Sequence, residues 1–124
     1  MSGIIKYNSR DFLAELDHVA AAPAPVPVGS EVSRIRSKIA VSEDPAAPRA
    51  GVWESTPGQW RRQVVKAEFC VFLSGECSFT PDGGEPIEIM PGDTLYFPAN
   101  SLGVWDIREV RRKRFIIVEE APRV

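Results

Sequence analysis

The residues best suited to chemistry lie between positions 61 and 70: Arg61, Arg62, Gln63, Glu68 and Cys70. A carboxylate beside a basic side chain can serve as a general base, or as the acceptor for an amine or amide ligand. Side chains alternate along the run EFCVFL. Glu68, Cys70 and Phe72 therefore share one face, and Phe69, Val71 and Leu73 share the other. The same alternation aims only one of the adjacent Arg61 and Arg62 inward. Cys70 reads as a small inward hydrophobe, because a nucleophilic thiol needs a base and no histidine is near in sequence. The single histidine, His18, falls in a helical stretch and reads as a surface residue. Glu68 and Cys70 supply two metal donors at most, where a first-row metal needs several. No cofactor is expected, and a divalent metal at Glu68 is the alternative. Trp53, Trp60 and Trp105 read either as core or as the walls of a ligand mouth, to which Tyr96 adds a hydroxyl.

From about residue 32 the elements that must hold these residues follow a period of two. The runs SRIRSKIAV, FCVFL, CSFT, PIEIM, TLYFP and FIIVE are β-branched and aromatic, and TPG, SG, DGG, PGD and PAN turn signals cut them. A spacing of roughly 8–12 residues predicts an antiparallel sandwich or barrel. Ser74 and Gly75 read as a two-residue hairpin loop, with Phe72 opposite Cys77 and Cys70 opposite Phe79. That register makes Cys70 and Cys77 diagonal neighbours at roughly 7–8 Å, too far for a disulfide. A type I turn with a bulge would slip the register by one and undo this pairing.

Ahead of the strands, Phe12, Leu13, Leu16 and Val19 follow helical spacing behind the candidate caps Asn8 and Ser9, predicting a short helix over 9–20. The proline-alternating AAPAPVPVG that follows favours extended backbone and reads as a connector. The expected division is residues 1–31 as helix and connector and 32–124 as one barrel domain. A chain of 124 residues suits one domain, and a net charge of −2 gives no basic excess for nucleic acid. No run of ~18 apolar residues suggests a membrane span. The start MSGIIKYNSRD shows no signal-peptide pattern, so with two cysteines a reducing cytoplasmic location is expected. The RRKR run at 111–114 leads straight into a strand, where charges discourage edge pairing.

Four blocks in order, GVWESTPG, EFCVFLSGE, PGDTLYFPA and GVWDI, resemble the cupins, and in particular the (S)-ureidoglycine aminohydrolase type and the ethanolamine-utilisation cupins. The resemblance covers about residues 51–119. It implies an all-β fold, a double-stranded β-helix (jelly-roll) barrel with the short N-terminal helix attached. Glu68 and Gly75 match the end of the first cupin motif, and Gly92 and Pro98 match the opening of the second. The two histidines of the first motif fall among Arg61, Arg62, Gln63 and Val64. In the second motif the glycine position is Asn100 and the last histidine position is Gly103. Three of the four implied metal ligands are therefore missing, although Gln63 offers a weak oxygen donor. Lys113 falls where the family often shows a basic residue.

If Glu68 points into the lumen as the motif implies, a cation, a hydrogen bond or protonation must relieve its desolvation. It serves either as half of a structural ion pair or as a possible acid/base with Lys113. The expected function is a cupin that binds a small polar metabolite through Trp53, Trp60, Arg62, Gln63, Cys70, Tyr96 and Trp105, without a His-based metal. The alternative is an enzyme of the ureidoglycine aminohydrolase type acting on a ureido, amide or carboxylate metabolite. A homodimer is expected, through strand edges or an exchanged N-terminal segment.

Overall fold

A computed structural model describes residues 4–40, 47, 49–108 and 113–119 of the chain; the last stretch is described as backbone. The helix, α1, spans Ser9–Leu16 and is shorter than its apolar spacing suggests. Asn8 caps it by accepting from the Asp11 amide at 3.2 Å. The His18 and Val19 amides then close a tighter turn on the Glu15 and Leu16 carbonyls, and the prolines beyond enforce extended backbone.

Eleven strands follow, designated β1 Ala22–Pro23, β2 Pro27–Val28, β3 Arg34–Ala40, β4 Ala50–Ser55, β5 Gly58–Val64, β6 Glu68–Ser74, β7 Cys77–Pro81, β8 Ile87–Ile89, β9 Thr94–Phe97, β10 Ser101–Ile107 and β11 Lys113–Glu119. They form two antiparallel sheets, one in the order β1-β3-β4-β11-β6-β9 and the other β2-β5-β10-β7-β8. The expected all-β jelly roll is the observed fold. Among the described residues no helix is long and apolar enough to cross a membrane.

Two expectations need correction. The connector does not hang outside the barrel. Its β1 pairs with β3, and its β2 pairs with β5, so this strap steps from the edge of one sheet to the edge of the other. The helix likewise packs on β3 and β4, with Leu16 fully buried. Alternating prolines forbid helix but leave strand-edge pairing open, which is why composition alone reads as a free linker.

Second, β6 and β7 are not a hairpin. Strand β6 pairs with β11 and β9, whereas β7 pairs with β10 and β8. Gly75, at φ 76°, turns the chain from one sheet into the other. Each strand carries a large apolar inner face, so facing across the sandwich buries both, while lying side by side would not pack one against the other. Cys70 and Cys77 thus lie in opposite sheets, both buried and neither in a disulfide.

The predicted alternation along β6 holds. Glu68, Cys70 and Phe72 are buried, while Phe69, Val71 and Leu73 face outward and are exposed. Between the sheets Phe72, Phe79, Phe97 and Trp105 form one aromatic cluster, with ring centroids 4.9 Å apart for Phe79 and Trp105 and 5.2 Å for Phe79 and Phe97. Full burial of a side chain such as Phe72 contributes up to about 3 kcal/mol. This plug fills the space between the two sheets.

Candidate functional site

What the plug leaves open is a cavity of about 520 Å³ beneath the strap, lined by Trp53, Trp60, Arg62 and Glu68 together with Arg36 and Ser37. Strand alternation delivers Trp60, Arg62 and Glu68 to it. On β5, Trp60 and Val64 are buried on the inner face, and Arg62 between them shares that side. Arg61 takes the outer side, where both its terminal nitrogens reach Asp82, at 2.8 and 3.2 Å. Their hydrogen bonds raise the Arg61 pKa and lower that of Asp82. Arg62 is therefore the member of the pair on the cavity side, where it is exposed. It makes no hydrogen bond or ion pair among the described residues, unlike Arg34, Arg36 and Arg61 on the same two strands.

Glu68 opens β6 and is 6% exposed. Cys70, two residues along on the same face, donates its thiol to Glu68 Oε1 at 3.4 Å. Burial, first, and then the Glu68 charge and this hydrogen bond push the Cys70 thiol well above its ordinary range, partly offset by the Arg62 charge. A thiol held this way is a hydrogen-bond donor and not a nucleophile. Trp53 and Trp60 stack with centroids 5.6 Å apart, and Trp105 lies 6.3 Å from Trp53. Trp60 is 2% exposed, and its indole Nε1 has no hydrogen-bond partner among the described residues.

Not every candidate joins this group. Gln63 shares the outer face of β5 with Arg61 and is exposed. Tyr96 is exposed on the outer face of β9, where its ring packs on Phe69 with centroids 4.9 Å apart. Trp105 belongs to the aromatic plug and does not line the cavity. His18 is exposed, beyond the helix. The side chain of Lys113 and residues 111 and 112 lie outside the described residues.

Sequence reasoning missed Arg36. Its Nε lies 2.6 Å from Glu54 Oε1 and its Nη2 lies 3.0 Å from Asp17 Oδ1, in a largely buried triad at the cavity wall. Glu54 is 2% exposed, and its place opposite Arg36 in the β3–β4 register helps a carboxylate survive there. The one sequence signal was a charged residue in each of two neighbouring strands.

The residues present do not fit a cupin metal centre. No group of three or more His, Cys, Asp or Glu side chains converges among the described residues. Gly103, where the last histidine would stand, is closed off: a Cβ there would meet Phe79 ring carbons at 2.6 Å and the Thr80 carbonyl at 2.4 Å. The positive charge of Arg62 also acts on the Glu68–Cys70 corner.

Comparison with known proteins agrees with the fold. EutQ from Clostridium difficile superposes with a TM-score of 0.62 at 18% identity, over 72% of this chain and 69% of that one. A putative ethanolamine utilization protein Q from Salmonella typhimurium LT2 gives 0.61 at 18% identity, over 85% and 98%. A Cupin 2 conserved barrel domain protein from Salinispora arenicola CNS-205 gives 0.59 at 16% identity, over 69% and 75%. At such identities the likeness is one of fold. No curated protein matches the sequence. A sequence profile of one family, however, matches residues 44–115, over half the chain and most of the barrel, and on that match the chain belongs to the EutQ-like cupin domain family.

Proposed function

We propose that the barrel binds a small polar metabolite bearing an acidic or strongly accepting group, in the cavity under the strap and without a His-based metal. The observation that carries this reading is Arg62: an exposed guanidinium with no hydrogen bond or ion pair among the described residues, at the rim of a cavity whose lining also holds a buried carboxylate. A guanidinium and an indole N–H are donors only, so a ligand there has to bring acceptors. Glu68 takes the donor end of the same molecule, an amine or amide N–H. A volume of about 520 Å³ suits a compact metabolite, and the indoles supply its apolar walls. The test is calorimetric titration with small carboxylates, amides and ureido compounds against wild type and Arg62→Gln. Binding to wild type that Arg62→Gln abolishes is expected. Equal affinity for both proteins would overturn the assignment of Arg62.

The second reading is turnover of such a metabolite, in the manner of a ureidoglycine aminohydrolase, with Glu68 as acid/base. The place of a buried carboxylate beside open volume favours it, because a general base must lie within reach of the substrate proton. Product formation lost in Glu68→Gln while affinity persists would separate catalysis from binding.

A further inference from the structure

The outer wall of the cavity is not part of the barrel proper. Val19, Ala20, Ala22, Pro23 and Pro25 line it, and all belong to the strap and the turn that leads into it. Ala24, 4% exposed, packs in the same cluster as Trp53 and Trp60. With the strap seated, Trp53, Trp60 and Glu68 are 8%, 2% and 6% exposed. The cavity has an open mouth at the exposed Arg62, so a displaced strap would widen access to a floor that is now largely covered.

The strap is the wall least firmly held. Each of its strands is two residues long, and the prolines at 23, 25 and 27 have no amide to donate. Its fastenings are short: two residue pairs with β3, two with β5, the Ala24 amide on the Ser33 carbonyl at 2.8 Å, the Arg61 amide on the Val26 carbonyl at 2.9 Å, and Arg34 on the Ala21 carbonyl at 3.4 Å. Segments with so few bonds open at a free energy below that of the whole domain. The near end is tied by the buried Leu16 and by the Asp17–Arg36 ion pair. Arg36 does not depend on that pair, because Glu54 holds it from the other side.

We propose that residues 17–28 are the gate of the lumenal site and that Asp17–Arg36 is its latch. This rests on the binding reading above. In the closed state the strap completes one wall and covers most of Glu68 and Trp60. In the open state Trp60 and Glu68 join Arg62, exposed in both states, in facing solvent. Loss of the latch opens the strap without unfolding the barrel.

The test is amide hydrogen exchange on the wild type and Asp17→Asn, comparing Ala24 with Trp105 in the central strand β10. Ala24 is expected to exchange through an opening that leaves Trp105 protected. A half-exposed ion pair of ordinary strength predicts that Asp17→Asn speeds Ala24 exchange about two- to fivefold, with Trp105 unchanged. Acrylamide quenching of the indole fluorescence is expected to rise in the same variant. Exchange of Ala24 only at the rate of Trp105, in both proteins, would overturn the gate; so would quenching that Asp17→Asn leaves unchanged. Neither measurement uses a ligand. A failed ligand screen therefore sinks the binding reading, and strap opening stands or falls on its own rates.

Discussion

Cys70 and Glu68 share a hydrogen bond of 3.4 Å along one face of β6, with the thiol as donor and the carboxylate as acceptor. The carboxylate favours the protonated thiol, and burial favours it further. Cys70 is therefore expected to resist iodoacetamide at pH 8 and to react only as fast as the barrel unfolds. Labelling of native protein at the rate of a free thiol would contradict this.

The same relationship sets a pH dependence. The folded thiol titrates above its ordinary value of 9.0, so above that pH the unfolded chain loses a proton that the folded chain keeps. This contribution to stability is complete below the unfolded pKa and falls away as pH rises through it. The melting temperature is expected to decline above about pH 9, less steeply in Cys70→Ala. An identical alkaline slope in the two proteins would remove Cys70 from the explanation.

Glu54→Gln should be far more damaging than Asp17→Asn. Glu54 compensates Arg36 in a nearly dry setting, and breaking such a pair costs on the order of 3–5 kcal/mol. Asp17 is half exposed, so its pair is worth at most about 1 kcal/mol. Urea denaturation of the two variants measures both, and comparable losses would mean that the triad is not divided in this way.

For Glu68→Gln the expected outcome is little change in stability, with loss of ligand binding. Residues kept for function are commonly strained or electrostatically unfavourable in the free protein. Were Glu68 only half of a structural pair, the variant would strand a buried cation and lose on the order of 3–5 kcal/mol. A thermal melt beside the ligand titration decides between these roles.

Gly103→His restores a cupin ligand type at the position implied by the second motif, yet it should not create a metal site. Its Cβ must displace either Phe79 or the Thr80 backbone, at about 1–3 kcal/mol for overpacking. A lower melting temperature and no stoichiometric metal by elemental analysis are expected; one tightly held equivalent would overturn this account of the lumen.

The strand faces were readable from period two, and with them the inward positions of Glu68, Cys70 and Phe72. The pattern also limited the arginine pair to one inward member; choosing Arg62 required knowing that Trp60 and Val64 were the buried side of β5. Tyr96 and Gln63 were misplaced by motif proximity, since an adjacent position in a strand is the opposite face. The two-sheet route of β6 and β7 was not readable at all. A Ser-Gly turn reports local backbone geometry, whereas the sheet each strand joins depends on partners far along the chain. Arg36–Glu54 was hidden for the same reason, because its 18-residue separation becomes a contact only through the β3–β4 register.

The placement of β1 and β2 also bears on assembly. Among the described strands they form one edge of each sheet, and there Pro23 and Pro27 offer no amide hydrogen to an incoming chain. Sheet extension is thereby blunted on that side of the sandwich, and the exposed edges left for main-chain pairing are β9 and β8. A homodimer built by strand addition would have to grow from those edges, which lie on the side of the barrel away from the strap.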